Sequence, residues 1–295
     1  MPWQGNYYVF RKRHAVLGSL RAKGGREVQT VVGFRDLDVL ADTIRPFVLR
    51  VDRDVLGMSE PVEIAHSFEL NAKARALYAT IERELAIQIE GMGVMDVESA
   101  LVTNLRLQQL TGGYVTVDKD GEPETFQMST EKRDALAEVL TDLEPEEPAV
   151  VFCRFKADIL AVREASKAAG RDVYELSGSK DELTEWDEVA RGYYAIGHPK
   201  PVLATNIKSG AESNDMTAAR HAVFYSTGYE MGLIEQAKCR IDRPPRTHAV
   251  FNHYLVAAGT IDEVIVESAE TKRKIIDLVV ERLDAIRKKE PTARK

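Results

Sequence analysis

The sequence predicts an α/β protein in which a parallel sheet is covered by helices on both faces and is preceded by a mainly helical region. From Ala149 onward, short apolar runs alternate with amphipathic stretches, the pattern of strands buried on both sides and the helices that cross over between them. Upstream of Ser129 the apolar residues recur mostly three and four apart, the spacing of a helix face. The third observation is composition: 44% hydrophobic and 29% charged residues over 295 positions allow a sizeable core and suit about two domains.

Residues 1–60 mix the aromatics Trp3, Tyr7, Tyr8, Phe10, Phe34 and Phe47 with a basic start, in which Arg11, Lys12, Arg13, Arg21, Lys23 and Arg26 face only Glu27. The aromatics are expected to be core and the basic start a solvated face. Asn71 suits the N-cap of a helix ending at Gly91, with Leu77, Ile81 and Leu85 as its buried stripe. A second helix is expected from about Asp96 to Gly112-Gly113, with Leu101, Leu105 and Gln108 on one face. Val115 and Val117 alternate with polar residues before Asp120-Gly121, and Phe126 and Met128 answer them, which predicts a hairpin.

Ser129 can cap a helix carrying Leu136, Leu140 and Leu143, ended by Glu144-Pro145-Glu146-Glu147-Pro148. The following pattern reads as strand 149–153, helix 156–169, strand 173–176, helix 181–191, strands 201–205 and 221–225, helix 230–241, strand 248–255 and helix 260 to about 287. The acidic run from Asp181 to Glu188 opens a helix, where carboxylates favour the dipole. In 271–295 Lys and Arg outnumber Asp and Glu nine to four, and Ile275, Leu278, Val279 and Leu283 form one stripe, so a bracing helix with a solvated basic end is expected.

A net charge of −7 excludes a basic nucleic-acid coat, and any nucleic-acid contact must come from a local patch. The two cysteines, Cys153 and Cys239, lack metal-ligand spacing and suit a reducing compartment, so a cytoplasmic location is expected, the host's if the protein is viral. Arg11-Lys12-Arg13 leads into no signal-peptide core, and no run approaches the roughly 18 apolar residues of a membrane span, so no membrane partner is expected. His221, His248 and His253 begin or lie within strands without partners at metal-ligand spacing, and are read as structural; no metal site is expected.

The chemistry concentrates between Val202 and Arg246. An apolar run breaks into a polar loop, Thr205 to Asn214, returns as a second apolar run, and leads into Gln236-Ala237-Lys238-Cys239-Arg240-Ile241-Asp242-Arg243. A helix through this segment places Arg240 and Arg243 on one face, and two adjacent guanidiniums call for an anion. Arg154-Phe155-Lys156 and Ser177-Gly178-Ser179-Lys180 end two other predicted strands at the same sheet edge as Thr205. The carboxyl ends of parallel strands converge, so Arg154, Phe155, Lys156, Ser177 and Gly178 are candidate contacts for a DNA backbone.

These motifs, in this order and at these intervals, resemble the second motor lobe of a superfamily 2 helicase of the Swi/Snf chromatin-remodeller-like branch, a RecA-like lobe. Gln236-Ala237-x-x-Arg240-x-x-Arg243 is similar to the sixth motif; Leu203-Ala204-Thr205 through Ser209-Gly210, with Met216-Thr217-Ala218-Ala219, to the fifth; Val150 to Phe155 to the fourth. Gly259-Thr260-Ile261-Asp262-Glu263 resembles the closing signature, and Leu105 to Gly112 the helical segment joining the lobes. The resemblance implies a remnant of the first lobe in 1–60, a helical linker and hairpin in 61–128, the second lobe in 129–270 and a bracing helix with a basic tail in 271–295. Three places depart from the family: Met58-Ser59-Glu60-Pro61 stands for a Leu-Pro-Pro, Ala211-Glu212-Ser213 thins the glycines of the fifth motif, and Pro244-Pro245-Arg246 replaces a Gly-Gln.

By the resemblance, Arg240 and Arg243 are arginine fingers for the β- and γ-phosphates of ATP on an opposite lobe, Gln236 is counted with them as catalytic, and Thr205, Lys208, Ser209 and Gly210 grip the phosphates of a DNA strand. No Gly-x-x-x-x-Gly-Lys-Ser/Thr occurs in the chain, nor an Asp-Glu pair after an apolar strand ahead of the fourth motif. ATP and Mg²⁺ are therefore expected only in complex with a partner chain carrying those Walker A and DExx elements. The reading is the carboxyl-terminal half of a split DNA-dependent ATPase; the alternative is a non-enzymatic DNA- or protein-binding module built on such a lobe.

Overall fold

A computed structural model of the chain describes residues 6–21, 27–49, 55, 57–91, 97–119, 122–192, 199–212, 214–228, 230–246 and 248–271. Its backbone divides into two units, Met1–Gly57 and Met58–Lys295. Trp3, Arg26, and Lys23, and the basic tail beyond Thr271, lie outside the described residues.

The first unit opens with helix α1 (Tyr7–His14), whose Asn6 cap accepts hydrogen bonds from the Tyr8 and Val9 amides. Its last turn holds Arg11, Lys12 and Arg13, where cations favour the helix dipole. Strands β1 (Ala15–Arg21) and β2 (Glu27–Phe34) form an antiparallel hairpin, followed by helix α2 (Leu37–Ile44). The aromatics expected in a core are not there: Tyr7, Tyr8, Phe34 and Phe47 are 63%, 76%, 69% and 79% exposed. Among the described residues of this unit, one hairpin and two eight-residue helices make no second layer to bury them. Phe10 is half-buried against His14.

The second unit contains β3 (Val62–Phe68), α3 (Ala72–Gly91), α4 (Val97–Thr111), β4 (Tyr114–Lys119), β5 (Glu122–Gln127), α5 (Glu131–Asp142), β6 (Ala149–Cys153), α6 (Lys156–Ala168) and β7 (Val173–Leu176). It continues with α7 (Leu183–Arg191), β8 (Val202–Asn206), α8 (Ile207–Ala211), β9 (His221–Phe224), α9 (Met231–Ile241), β10 (Phe251–Ala257) and α10 (Ile261–Thr271). Six strands make one parallel sheet in the order β3-β10-β9-β6-β8-β7, the RecA-like α/β arrangement. Strand alternation splits the core into two layers. Phe152, Leu203 and Phe224 pack with Trp186, Met216 and Ile234 on one face, and Val151, Ala204 and Val223 pack with Leu136, Leu140 and Val162 on the other.

Val62–Phe68, placed by its sequence in the helical linker, is instead the sixth strand, parallel to β10 at one edge. Only Ile64, His66 and Phe68 of it are half-buried, so the strand rests on backbone pairing that a weak alternation does not announce. In α3 the Asn71 cap holds, accepting from the Ala74 amide at 2.9 Å. Its fully buried residues are Ala74 and Tyr78, with Leu77 and Ile81 packed beside them; the Leu85 side chain is outside the described residues. In α4 the buried face is Leu107, Gln108, Leu110 and Thr111 rather than Leu105, because the helix turns toward α3 and α10; Leu101 has no described side chain. The hairpin forms as expected, with Val115 opposite Phe126.

Two polar devices tie the layers together. The Arg171 guanidinium donates to the carbonyls of Leu140, Leu143, Glu144, Glu147 and Lys200 at 2.8–3.1 Å, closing the loop between α5 and β6. Lys132 on α5 meets Asp262 on α10 at 2.8 Å with side chains 2% and 9% exposed, and Thr111 of α4 donates to the other Asp262 oxygen at 3.0 Å. Asp262 of the closing signature therefore holds three helices together.

Candidate functional site

The site lies at the carboxyl edge of the sheet, where β6, β8 and β9 end side by side. Arg154, Phe155, Asn206, Ile207, Lys208, Gly228, Glu230 and Leu233 line a cleft of about 220 Å³ there. Parallel strands direct their exit loops to one edge, so residues far apart in sequence share one opening.

Arg154 is built in from several sides. Its amide donates to Ser226 Oγ at 2.8 Å, its carbonyl accepts from Asn206 Nδ2 at 3.2 Å, and its guanidinium lies 5.5 Å from the Phe155 ring centroid. Its Nη1 donates to Gln108 Oε1, and Gln108 Nε2 donates in turn to the Thr227 carbonyl at 3.0 Å. Beneath them Asp158 is 1% exposed and accepts from the Phe155 amide at 2.9 Å and from Ser226 Oγ. Burial pushes the Asp158 carboxyl above its usual range, against the hydrogen bonds from Ser226 and the Phe155 and Arg154 amides and the Lys132 charge.

On the facing loop, Asn206 caps α8 by accepting from the Lys208 amide at 3.0 Å, which sets the exposed Lys208 at the cleft. Thr205 and Gly210 are buried and present no group to the opening. A Cβ on Gly210 would lie 2.9 Å from Thr205 Oγ1 and 3.0 Å from Phe152, so this glycine lets α8 sit on the sheet. Ser209 is half-buried, its carbonyl accepting from Asn214 Nδ2 at 2.8 Å. Glu212 is exposed.

Ser177 and Gly178 end the edge strand β7 and do not line the cleft. Ser177 Oγ donates to Glu175 at 2.6 Å, and Glu175 is paired with Arg163 at 2.6 Å. Burial raises the Glu175 carboxyl, but the bonds from Ser177 and Arg163 and the Arg163 and Lys180 charges outweigh it and hold the group below its usual range. Lys156 is exposed and, with Phe155, lines a second cleft of about 210 Å³ shared with Gln109, Tyr114, Thr116 and Thr125.

Helix α9 starts at the first cleft with Leu233. Gln236 is exposed, and Arg240 is half-buried with Nε donating to the Ala211 carbonyl at 3.0 Å, which links α9 to α8. The expectation that one helix face carries both arginines fails: α9 ends at Ile241, and Arg243 lies beyond the Asp242 cap, whose ψ of 78° leaves the helical range. The following Pro244-Pro245 peptide is cis, and Arg246 returns to Asp242 in an ion pair of 2.8 Å with both side chains 3% exposed. Arg246 also donates to the carbonyls of His248 and, at 2.6 Å, Ser59. Neither Arg240 nor Arg243 is buried, and Arg243 is exposed next to Asp242, whose carboxylate Arg246 engages. Asp215 senses Arg243: burial raises its carboxyl, but hydrogen bonds from Thr217 and the Arg191 and Arg243 charges outweigh that and lower it.

The sequence reading missed Asn206, Asp158, Gln108 and Arg246. Asp158, three residues after Phe155, occupies the capping-box position and was legible as such. Gln108 and Arg246 were not, because Gln108 meets partners 46 and 119 residues away and Arg246 is oriented by the turn before it.

A six-stranded parallel sheet covered by helices, with Arg154 and Lys208 at the carboxyl ends of its strands, defines a RecA-like α/β lobe. No family model matches the chain. It is 25% identical over 275 residues to YwqA of Bacillus subtilis, named as an ATP-dependent helicase/translocase, a match covering 90% of this chain and 30% of that protein. It is 26% identical over 236 residues to protein p41 of Acyrthosiphon pisum secondary endosymbiont phage 1, covering 77% of this chain and 47% of that one. The chain thus spans less than half the length of these relatives. In fold it is similar to the C-terminal part of the Fun30 ATPase domain, with TM-score 0.55, 12% identity, and coverage of 79% of this chain and 100% of that one. It is also similar to the Sulfolobus solfataricus SWI2/SNF2 ATPase core in complex with dsDNA, with TM-score 0.54, 18% identity, and coverage of 86% and 54%. The resemblance drawn from the motifs is borne out: the chain is similar in sequence to a protein named as a helicase/translocase, and in fold to the C-terminal part of the Fun30 ATPase domain and to a SWI2/SNF2 ATPase core.

Proposed function

We propose that this chain is the carboxyl-terminal half of a split DNA-dependent helicase or translocase, giving arginine fingers and a DNA-backbone grip to a partner chain that carries the nucleotide-binding lobe. The observation that carries this reading is Arg243, exposed past the end of α9 while the neighbouring carboxylate, Asp242, is engaged by Arg246. A guanidinium so placed suits an external polyanion. ATP with Mg²⁺, held by the other lobe, supplies the free energy; within this chain the cations fit phosphate oxygens, and there is no Gly-Lys-Ser/Thr cradle. Arg154 and Lys208 at the cleft, with Lys156 beside it, supply local positive charge on a chain of net charge −7, which suits a DNA backbone better than a general nucleic-acid coat. The exposed aromatics of the first unit are the surface offered to the partner lobe.

The test mixes this chain with a chain bearing the phosphate loop and measures DNA-stimulated ATP turnover. Turnover is expected in the mixture, and Arg243→Ala is expected to lower it by about 10³-fold, the smaller end of the range for arginine fingers. No turnover, or turnover indifferent to that substitution, favours the binding-module alternative.

A further inference from the structure

We propose that Gln108 is the positioning residue of the DNA grip: it aims the Arg154 guanidinium from helix α4, so that the helical region, and not the sheet edge alone, sets the cation facing the cleft. The inference rests on the reading of Arg154 as a backbone contact.

The geometry is that of a two-ended clamp. Gln108 is 2% exposed, and both ends of its amide are engaged, Oε1 by Arg154 Nη1 and Nε2 by the Thr227 carbonyl. Thr227 follows β9 and Arg154 follows β6, so one side chain from α4 bridges two strand ends that border the same opening. The Arg154 backbone is fixed separately, by Ser226 and Asn206 from the neighbouring strand ends. What Gln108 adds concerns the side chain. An arginine has several rotatable bonds, and a phosphate contact from an unrestrained guanidinium must order them on binding. A buried amide already holding one N–H removes much of that cost. Gly228 completes the seat: a Cβ there would lie 3.6 Å from Arg154 Cζ and Nη1, in ordinary contact with the guanidinium. Along α4, Leu107 and Leu110 are core and Thr111 binds Asp262, so the helix that carries Gln108 is itself anchored on α10.

The experiment measures duplex DNA binding by the full chain, without nucleotide, across a salt series. Arg154→Ala is expected to weaken binding about tenfold and to lower the slope of log K against log salt by about 0.9, the contribution of one phosphate contact. Gln108→Leu is expected to weaken binding by a similar factor, and the double variant to bind no worse than Arg154→Ala, since both remove one interaction. Gln108→Glu, which keeps a polar group of the same size, places a carboxylate on the guanidinium and is expected to lower the slope although Arg154 is present. A purely structural role for Gln108 moves the melting temperature but not the slope. Losses that multiply in the double variant, or a wild-type slope in both Gln108 variants, overturn the proposal while leaving the DNA reading in place. Arg154→Ala binding with wild-type affinity and slope overturns the proposal together with Arg154 as a backbone contact.

Discussion

Lys132, with 2% of its side chain exposed, is paired with the carboxylate of Asp262, 130 residues further along the chain. Removing one member of such a pair strands the other charge in the interior, which costs about 3–5 kcal/mol, whereas replacing both by apolar residues of similar volume can be close to neutral. Lys132→Met is therefore expected to lower stability by that amount in urea denaturation, and Lys132→Met with Asp262→Leu to recover a large part of it; a single variant as stable as the parent contradicts the assignment. Gly113 is constrained differently. It has φ of +94°, and a Cβ would stand 2.5 Å from the Ser129 carbonyl oxygen, a backbone atom of the short link between β5 and α5. Gly113→Ala is expected to cost about 1–3 kcal/mol and to depress the melting temperature by several degrees. At the same scale, Asp242 is engaged by Arg246, while Arg243 between them is exposed and its charge reaches Asp215.

Strand β3 is held at the sheet edge by backbone pairing and by an unusual run of histidines. His66 Nε2 lies 2.9 Å from His253 Nδ1, His253 Nε2 lies 3.0 Å from His221 Nδ1, and His221 Nε2 lies 2.9 Å from Glu147, so the run crosses β3, β10 and β9 to the loop before β6. Neutral rings, each donating from Nε2, satisfy every link. Burial lowers all three pKa values, that of His253 to about 3; the Asp142 charge opposes it at His66 and Glu147 at His221, while at His253 the two neighbouring imidazoles add to it. The unfolded chain binds protons near pH 6.5 that the folded one refuses. The contribution is thus complete above about pH 6.5 and is lost as pH falls from there through the lowered folded values. Denaturation midpoints are expected to be flat from pH 8 to 7 and to decline steadily toward pH 4, and His253→Phe to flatten that decline whatever it does to stability at pH 7. An unchanged slope in the variant would count against the run. His221 and His253 were read from the sequence as structural and without partners; the structure makes them partners of one another and of His66.

At the scale of the molecule, the six-stranded sheet, both its core layers and the cleft belong to residues after Gly57. The chain from Met58 to Lys295 is expected to keep one cooperative thermal transition and the salt-dependent DNA binding of the cleft, while losing turnover with a partner lobe if residues 1–57 are where that lobe docks. Circular dichroism melts and binding isotherms on the shortened chain check both halves of that statement. Among the described residues no helix is long and apolar enough to cross a membrane, and no group of His, Cys, Asp and Glu is placed to hold a metal ion. With a net charge of −7, repulsion from the rest of the surface makes any DNA contact local and steeply sensitive to salt.

The order of strands and helices from Ala149, apart from α8 within the expected Thr205–Asn214 loop, the hairpin, the Asn71 cap and the cluster of polar motifs at one sheet edge were readable along the chain, because each depends on periodicity or on neighbours a few residues away. The place of β3 in the sheet, the outward position of the first unit's aromatics, the burial of Thr205 and Gly210, the break that takes Arg243 off its helix, and the Gln108, Arg246 and histidine contacts depended on groups tens to hundreds of residues apart. A local pattern records which face of an element is apolar. Which partner meets that face, and which charge is cancelled from across the sheet, is settled only when the chain closes on itself, since burial and electrostatic pairing are properties of the folded neighbourhood.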